Sequence, residues 1–191
     1  QRYNYANSEW KDLLTSITVG NTTYALTYDR QGDLTSYANG RGLYSGIQWE
    51  NGYQLASIDV DSDDVYSLDF LYDVNGVRTK KTVNNEIHEY ITQNGKVVRE
   101  IIRTNGKTQT EVLDFFYDES GRPFALNYSS NSGTSFATYY YILNLQGDVV
   151  KLISAANTVV ASYTYDAWGN ILSSSGTMAK INPLRYRGYY Y

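Results

Sequence analysis

Apolar and polar positions alternate along most of this chain with a period of two. Tyr24, Leu26 and Tyr28 share one parity, as do Tyr66, Leu68, Phe70 and Tyr72. Leu113, Phe115 and Tyr117 repeat the pattern, and so do Ala161, Tyr163 and Tyr165. Alternation of this kind places one set of side chains on a single face of a strand. Each run ends in a turn signal, and Leu34, Val77, Phe124 and Val149 are placed to lead the returning strands. No stretch keeps a helical period, although Lys11 to Ser16 is compatible with a short helical turn before Ile17 resumes strand-like sequence. The expected fold class is all-β, built from consecutive antiparallel hairpins.

The turn signals are copies of one another. Tyr28-Asp29-Arg30-Gln31-Gly32 returns as Tyr72-Asp73-Val74-Asn75-Gly76, as Tyr117-Asp118-Glu119-Ser120-Gly121 and as Tyr165-Asp166-Ala167-Trp168-Gly169. Weaker copies end at Gly52, Gly95 and Gly147, so that successive turn glycines lie 20, 24, 19, 26, 26 and 22 residues apart. That interval is about two strands and two turns. Asp at the first turn position offers a carboxylate to backbone N–H groups. Gly three residues later accepts positive φ, which suits a type I turn followed by a glycine bulge. Asn-Gly pairs at 39–40, 51–52, 94–95 and 105–106 mark further tight turns. A hairpin of this size cannot bury its face alone, so stability is expected from lateral joining into one continuous array without a true linker. The two outermost strands would be left unpaired, which predicts edge-to-edge self-association.

Composition adjusts this picture in a few respects. Tyrosine is the outlier, with 21 residues among 191, and its ring can be buried while the hydroxyl stays at a wet edge. The net charge of −4 is spread over interspersed acids and bases, without the basic face that phosphate binding needs, so no nucleic-acid partner is expected. The absence of cysteine excludes disulfides and thiolate metal sites. No apolar run reaches the roughly 18–20 residues of a membrane-spanning helix, and no targeting signal is visible. The chain opens on Gln1 and closes on Tyr189-Tyr190-Tyr191, which reads as an excerpt from a longer protein.

Candidate chemistry is thin. Asp29, Asp73, Asp118 and Asp166 are accounted for by turn geometry. Asp59-Val60-Asp61-Ser62-Asp63-Asp64 begins like a calcium loop, but Asp64 stands where glycine is wanted and Phe70 where the bidentate Glu belongs. A solvated acidic loop is the better reading. His88 is the sole histidine, so a metal site or a catalytic triad has no second imidazole to draw on. Gly133-Thr134-Ser135-Phe136-Ala137 falls one residue short of a nucleophile elbow and lacks the strand-turn-helix setting that motif requires. No nucleotide-binding loop is present, and the sequons at Asn21 and Asn127 matter only in a eukaryotic secretory route. The expectation is a protein without catalytic residues, metal or cofactor. Trp10, Trp49 and Trp168 remain as aromatic candidates, with Trp49 and Trp168 singled out as ligand-stacking residues; the competing reading has them packed between repeats.

The repeated Tyr-Asp-x-x-Gly resembles the YD repeat of the Rhs family, whose members include bacterial polymorphic toxins, toxin-complex subunits and the animal teneurins. The resemblance is most specific in the last third. Tyr139 to Val149, then Ser162-Tyr163-Thr164-Tyr165-Asp166-Ala167-Trp168-Gly169-Asn170, then Asn182 to Tyr191 resemble the core-associated segment of Gram-positive members. The resemblance implies degenerate YD hairpins over residues 1–138 and the truncated start of the Rhs core-associated segment over 139–191. It further implies a curved, spiralling sheet that forms part of a hollow shell around a C-terminal toxin or comparable cargo. The implied partners are neighbouring repeats and that cargo, in a secreted or cell-surface protein. Binding of cell-wall or host carbohydrate is the alternative role. The second tyrosine-rich core motif and the self-cleavage motif of some members are missing, so neither toxin activity nor autoproteolysis is implied for these residues.

Overall fold

The computed structural model describes residues 1–40, 42–62 and 65–191. Among the described residues sixteen strands follow one another in an all-antiparallel sheet whose strand order is the order of the chain. Two compact units are distinguished, Gln1–Glu89 and Tyr90–Tyr191.

The first unit holds β1 (Arg2–Asn4), β2 (Ser16–Val19), β3 (Thr22–Tyr28), β4 (Leu34–Asn39), β5 (Gly42–Glu50), β6 (Gln54–Ser62), β7 (Tyr66–Tyr72) and β8 (Arg78–Val83); β9 (Glu86–Gln93) crosses the division. Its inward face is lightly covered: Ile47, Val60 and Phe70 are the buried apolar residues among those described. In the segment between β1 and β2, where Lys11 to Ser16 is compatible with a short helical turn, the chain makes a tight turn closed by the Leu13 N–H to the Trp10 carbonyl at 3.1 Å. Side-chain bonds hold it as a loop. Asn7 Oδ1 accepts the N–H groups of Glu9 and Trp10 at 2.9 and 2.8 Å, and Thr15 Oγ1 donates to the Asn4 carbonyl at 3.0 Å. A single turn of helix is marginal on its own.

The second unit continues with β10 (Lys96–Thr104), β11 (Glu111–Tyr117), β12 (Pro123–Ser129), β13 (Ala137–Leu143), β14 (Val149–Ser154), β15 (Val159–Tyr165) and β16 (Ile171–Ser175). Here a core exists. Leu113, Leu126, Val149, Leu152 and Ala161 are fully buried, joined by Phe115, Tyr141 and Tyr163. The strands supply eight of the buried residues of this cluster. The non-strand segment 176–191 supplies the other three, laying Met178, Ala179 and Leu184 against them at 2–3% exposure.

In an antiparallel meander every second connection returns to the same rim. Within each unit the motif turns therefore line one end of the sheet. The register shifts at five of them, between Thr27 and Tyr28, Leu71 and Tyr72, Phe116 and Tyr117, Ile142 and Leu143, and Thr164 and Tyr165. The shift corrects two expected strand leaders. Tyr72 pairs with Arg78 and Tyr117 with Pro123, so Val77 belongs to the turn and Phe124 points outward at 48% exposure. A bulge adds one residue on one side, which flips the parity of every residue beyond it on that strand. Leu34 and Val149 do open their strands, opposite Tyr28 and Leu143.

Candidate functional site

The motif turn is a small machine for consuming backbone donors. Asp29 N–H donates to the Asp33 carbonyl at 2.9 Å, and Gly32 N–H donates back to the Asp29 carbonyl at 3.3 Å. Asp29 Oδ1 accepts the N–H groups of Gln31 and Asp33 at 2.8 and 2.9 Å. Asp73 does the same for Asn75 and Val77 at 2.9 Å each, and Asp166 for Trp168 and Asn170 at 2.8 and 2.9 Å. Asp118 Oδ1 takes the N–H of Arg122 at 2.8 Å while Oδ2 accepts from the Arg122 guanidinium at 3.1 Å. The turn ending at Gly147 uses Asn144, whose amide oxygen accepts from Gln146 and Asp148 at 3.0 and 2.9 Å. All five bulge glycines have φ between 74° and 91°, the left-handed region that a Cβ disfavours. The Arg122 N–H holds the Asp118 carboxyl below the usual range, and the Asn170 amide does so for Asp166.

The tyrosine of the motif has an equally specific task, one that strand propensity alone does not reveal. Tyr28 hydroxyl donates to the Leu14 carbonyl at 2.7 Å, Tyr72 to Leu55 at 2.9 Å, Tyr117 to Val97 at 2.9 Å and Tyr165 to Val149 at 2.8 Å. In three of these the acceptor lies at the start of the preceding strand. The ring fills the inward face and the hydroxyl latches one hairpin to its predecessor. Hydroxyls expected at a wet edge are thus bonded to the main chain. Burial pushes the Tyr117 phenol up to about 12 and raises Tyr165 as well. Trp49 does the same job at the two-residue turn of Asn51 (φ 51°) and Gly52 (φ 78°): its indole N–H donates to the Leu34 carbonyl at 2.8 Å, and its ring is half-buried. Trp168, by contrast, stands 89% exposed at a turn tip. Trp10 is 49% exposed and lies over Gly32.

The most buried polar constellation belongs to the C-terminal strap, residues 182–191. Asn182 is fully buried. Its amide oxygen accepts from the Tyr141 hydroxyl at 2.8 Å, and its amide nitrogen donates to the Leu184 carbonyl at 2.7 Å and to the Tyr163 oxygen at 3.3 Å. Arg185 lies between the rings of Tyr163 and Tyr191, 5.1 and 4.6 Å from their centroids, and donates to the Ala179 carbonyl at 2.9 Å. Asp148, buried, accepts the Arg187 N–H at 2.9 Å. Tyr190 meets Tyr90 edge-on at 5.5 Å; burial, then the carboxylate of buried Glu100, raises its phenol far above the ordinary range. Spacing gave no warning of these residues. The run Asn182 to Tyr191 carried the signal as a block, but which strand residues its side chains meet is decided across 19 to 100 residues of chain.

The remaining candidates are in structural settings. His88 is buried on β9 beside Glu86, Nε2 to Oε1 2.9 Å, opposite Lys81 on β8. Ser135 lies in a loop tied up by Asn131, which donates to its hydroxyl at 3.0 Å and accepts its N–H at 3.1 Å. Of the calcium-like stretch, Asp59 and Asp61 are exposed on β6, and Asp63 and Asp64 lie outside the described residues. Among the described residues no group of three or more His, Asp or Glu side chains is arranged to hold a metal. Among the described residues no helix is long and apolar enough to cross a membrane.

Against known proteins, the family model described as teneurin YD-shell matches residues 51–191. The chain belongs to this family. The YD-shell relatives include the tRNA3(Ser)-specific nuclease WapA of Bacillus spizizenii, 29% identical over 168 residues, and the tRNA(Glu)-specific nuclease WapA of Bacillus subtilis subsp. natto, 30% identical over the same length. Each match covers 87% of this chain and 7% of the relative, so the chain spans a small part of those proteins. Among solved structures, the Photorhabdus luminescens Tc holotoxin pore shares the fold with a TM-score of 0.59 at 14% identity, over 88% of this chain and 11% of that one. The crystal structure of TcdB2-TccC3-Cdc42 matches with a TM-score of 0.50 at 14% identity, over 91% and 12%.

Proposed function

We propose that this chain is shell wall: a length of YD-repeat sheet that encloses a C-terminal toxin or cargo in a secreted or surface-exposed protein, and that has no chemistry of its own. The observation that carries this reading is where the motif side chains are spent. Each Asp is bonded to its own turn and each Tyr to a backbone carbonyl upstream, so the residues that recur are the ones that hold hairpins together. Residues 1–138 serve as degenerate hairpins and 139–191 as the start of the core-associated segment, which ends in the strap. The wall's partners are the adjoining repeats and the cargo, and its two outer strand edges pair with further repeats or with each other.

The test is direct. Incubated with tRNA, the purified chain should leave it intact. Cleavage that is lost on His88→Ala would overturn the reading.

One observation favours a second reading, a carbohydrate module. Trp168 is 89% exposed on a turn whose Asp166, together with Arg187, lines an open groove of about 440 Å³. Exposed indoles beside carboxylates and guanidinium groups stack on sugars and bond their hydroxyls. Sugar-competed retention on peptidoglycan or a polysaccharide panel that disappears on Trp168→Ala would establish it. Trp49 is not expected to contribute, because its N–H is committed to Leu34.

A further inference from the structure

Asn-Gly occurs five times in this chain, at 39–40, 51–52, 75–76, 94–95 and 105–106. Glycine has no side chain to shield its N–H, so at such a pair the glycine nitrogen can reach the asparagine amide carbon. The five-membered ring that results contains the asparagine Cα–C bond, and it closes only after the backbone has turned about that bond. Structure therefore decides which pair reacts.

Three of the pairs are held. Asn39 Oδ1 accepts the Gly42 N–H at 3.2 Å, and Asn51 Nδ2 donates to Gln54 Oε1 at 2.7 Å. At the third the nucleophile itself is engaged, because Gly76 N–H donates to the Asp73 carbonyl at 3.0 Å. The other two pairs share the sequence Asn-Gly-Lys and both are exposed, so the residues alone do not separate them. Their backbones do. Asn94-Gly95 is the whole connection between β9 and β10, with Asn94 at φ 50° and Gly95 at φ 73°. Turning the Asn94 Cα–C bond would pull apart the strands that start on either side of it. The lysine of this pair, Lys96, is drawn over the Tyr117 ring, its ammonium 5.0 Å from the centroid. Asn105-Gly106 instead opens the loop 105–110 between β10 and β11, where the chain can turn without unpairing a strand. Its turn is closed by the Lys107 N–H to the Thr104 carbonyl at 3.0 Å, a bond that leaves the Gly106 N–H out. Arg103 and Lys107 flank the pair, both exposed, and positive charge favours the deprotonated amide that makes the attack.

We propose that Asn105 is a modification site, the position at which this chain deamidates spontaneously. Gly106 N bonds to Asn105 Cγ, the Cγ–Nδ2 bond breaks, and Nδ2 leaves as ammonia with the amide proton of the glycine. Water then opens the succinimide at either carbonyl, giving aspartate or isoaspartate and one added negative charge between Arg103 and Lys107. The role goes beyond that of an inert wall, because it gives the chain an irreversible, self-timed change of charge on the rim away from the YD turns. The test incubates the intact chain in warm, mildly alkaline buffer, folded and in guanidinium chloride, and follows each Asn-Gly peptide by mass spectrometry. In the folded chain Asn105 should convert first and Asn94 several times more slowly. In the denaturant the two Asn-Gly-Lys pairs should convert at similar rates, since only the fold separates them. Asn105→Gln should remove the earliest acidic band on isoelectric focusing. Equal rates at Asn94 and Asn105 in the folded chain, earlier conversion of Asn39, Asn51 or Asn75, conversion of Asn105 in denaturant alone, or an early acidic band that persists in Asn105→Gln would each overturn the proposal.

Discussion

Replacing Asn182 by alanine removes a single side chain that four groups share. The Tyr141 hydroxyl loses its acceptor and the Leu184 carbonyl loses its 2.7 Å donor, both in a fully buried setting. The longer bonds, at 3.3 Å to the Tyr163 oxygen and from the Leu184 N–H, go as well. A buried polar group left without a partner costs about 1–3 kcal/mol. Two well-bonded groups orphaned together, with the weaker pair added, make a loss of about 3–5 kcal/mol for the docking of residues 176–191. That is a large fraction of the roughly 5–15 kcal/mol that holds a domain of this size. The strap should therefore come off in the variant before the strands melt. Urea unfolding followed by tyrosine fluorescence should shift to lower midpoint, and hydrogen exchange should lose protection at Met178, Asn182 and Arg185 while β11 and β12 keep theirs. Tyr141→Phe in the Asn182→Ala background should cost less than in the native chain, because the orphaned hydroxyl is then gone. A loss below about 0.5 kcal/mol, within the range of ordinary surface substitutions, would refute the view that Asn182 is the hub of the strap.

The latch predicts that Tyr165→Phe and Tyr28→Phe each cost about 1 kcal/mol in urea unfolding, the net worth of a hydrogen bond, without changing circular dichroism. Gly169→Ala and Gly147→Ala both place a Cβ at φ near 90°, but only at Gly169 does the Cβ strike Tyr186; nothing lies within 4 Å of the one at Gly147. The Gly169 variant should be the less stable of the two, and equal losses would show that Tyr186 does not sit on the turn. The phenol of Tyr117 is raised in the folded chain, so its contribution to stability is fully present below its unfolded value near 10 and is lost as pH rises through about 12. Alkaline titration at the tyrosinate absorption band should show ionisation delayed until unfolding, and Tyr117→Phe should reduce the pH dependence of stability in that window. Asp118 has the opposite sign: its depressed folded value makes its contribution present above the unfolded carboxyl range and lost on acidification, so Asp118→Asn should flatten the acid limb.

Much of this molecule is legible in its residues. Alternation with a period of two names the inward face, and the Asp and Gly of each motif dictate a turn because their carboxylate and missing Cβ act within five residues of chain. Those are local effects, and local effects survive without knowledge of what lies alongside. Partners across the sheet are another matter. That Phe124 turns outward while Pro123 opens the strand depends on a one-residue bulge. That a tyrosine hydroxyl finds Val97 or Val149 depends on the reach of a ring over the preceding strand. Trp49 and Trp168 look alike in sequence, yet one is tied to Leu34 and the other stands free of cover, because only packing separates a latch from a platform. The sharpest case is Asn182. Among the polar residues of the last ten positions nothing marks it out. It becomes the centre of the second unit's polar core because β13 and β15 bring Tyr141 and Tyr163 to meet it. Period and turn chemistry are written in single residues and determine the strands; long-range hydrogen bonds need two distant segments to agree in space, and tertiary structure alone decides them.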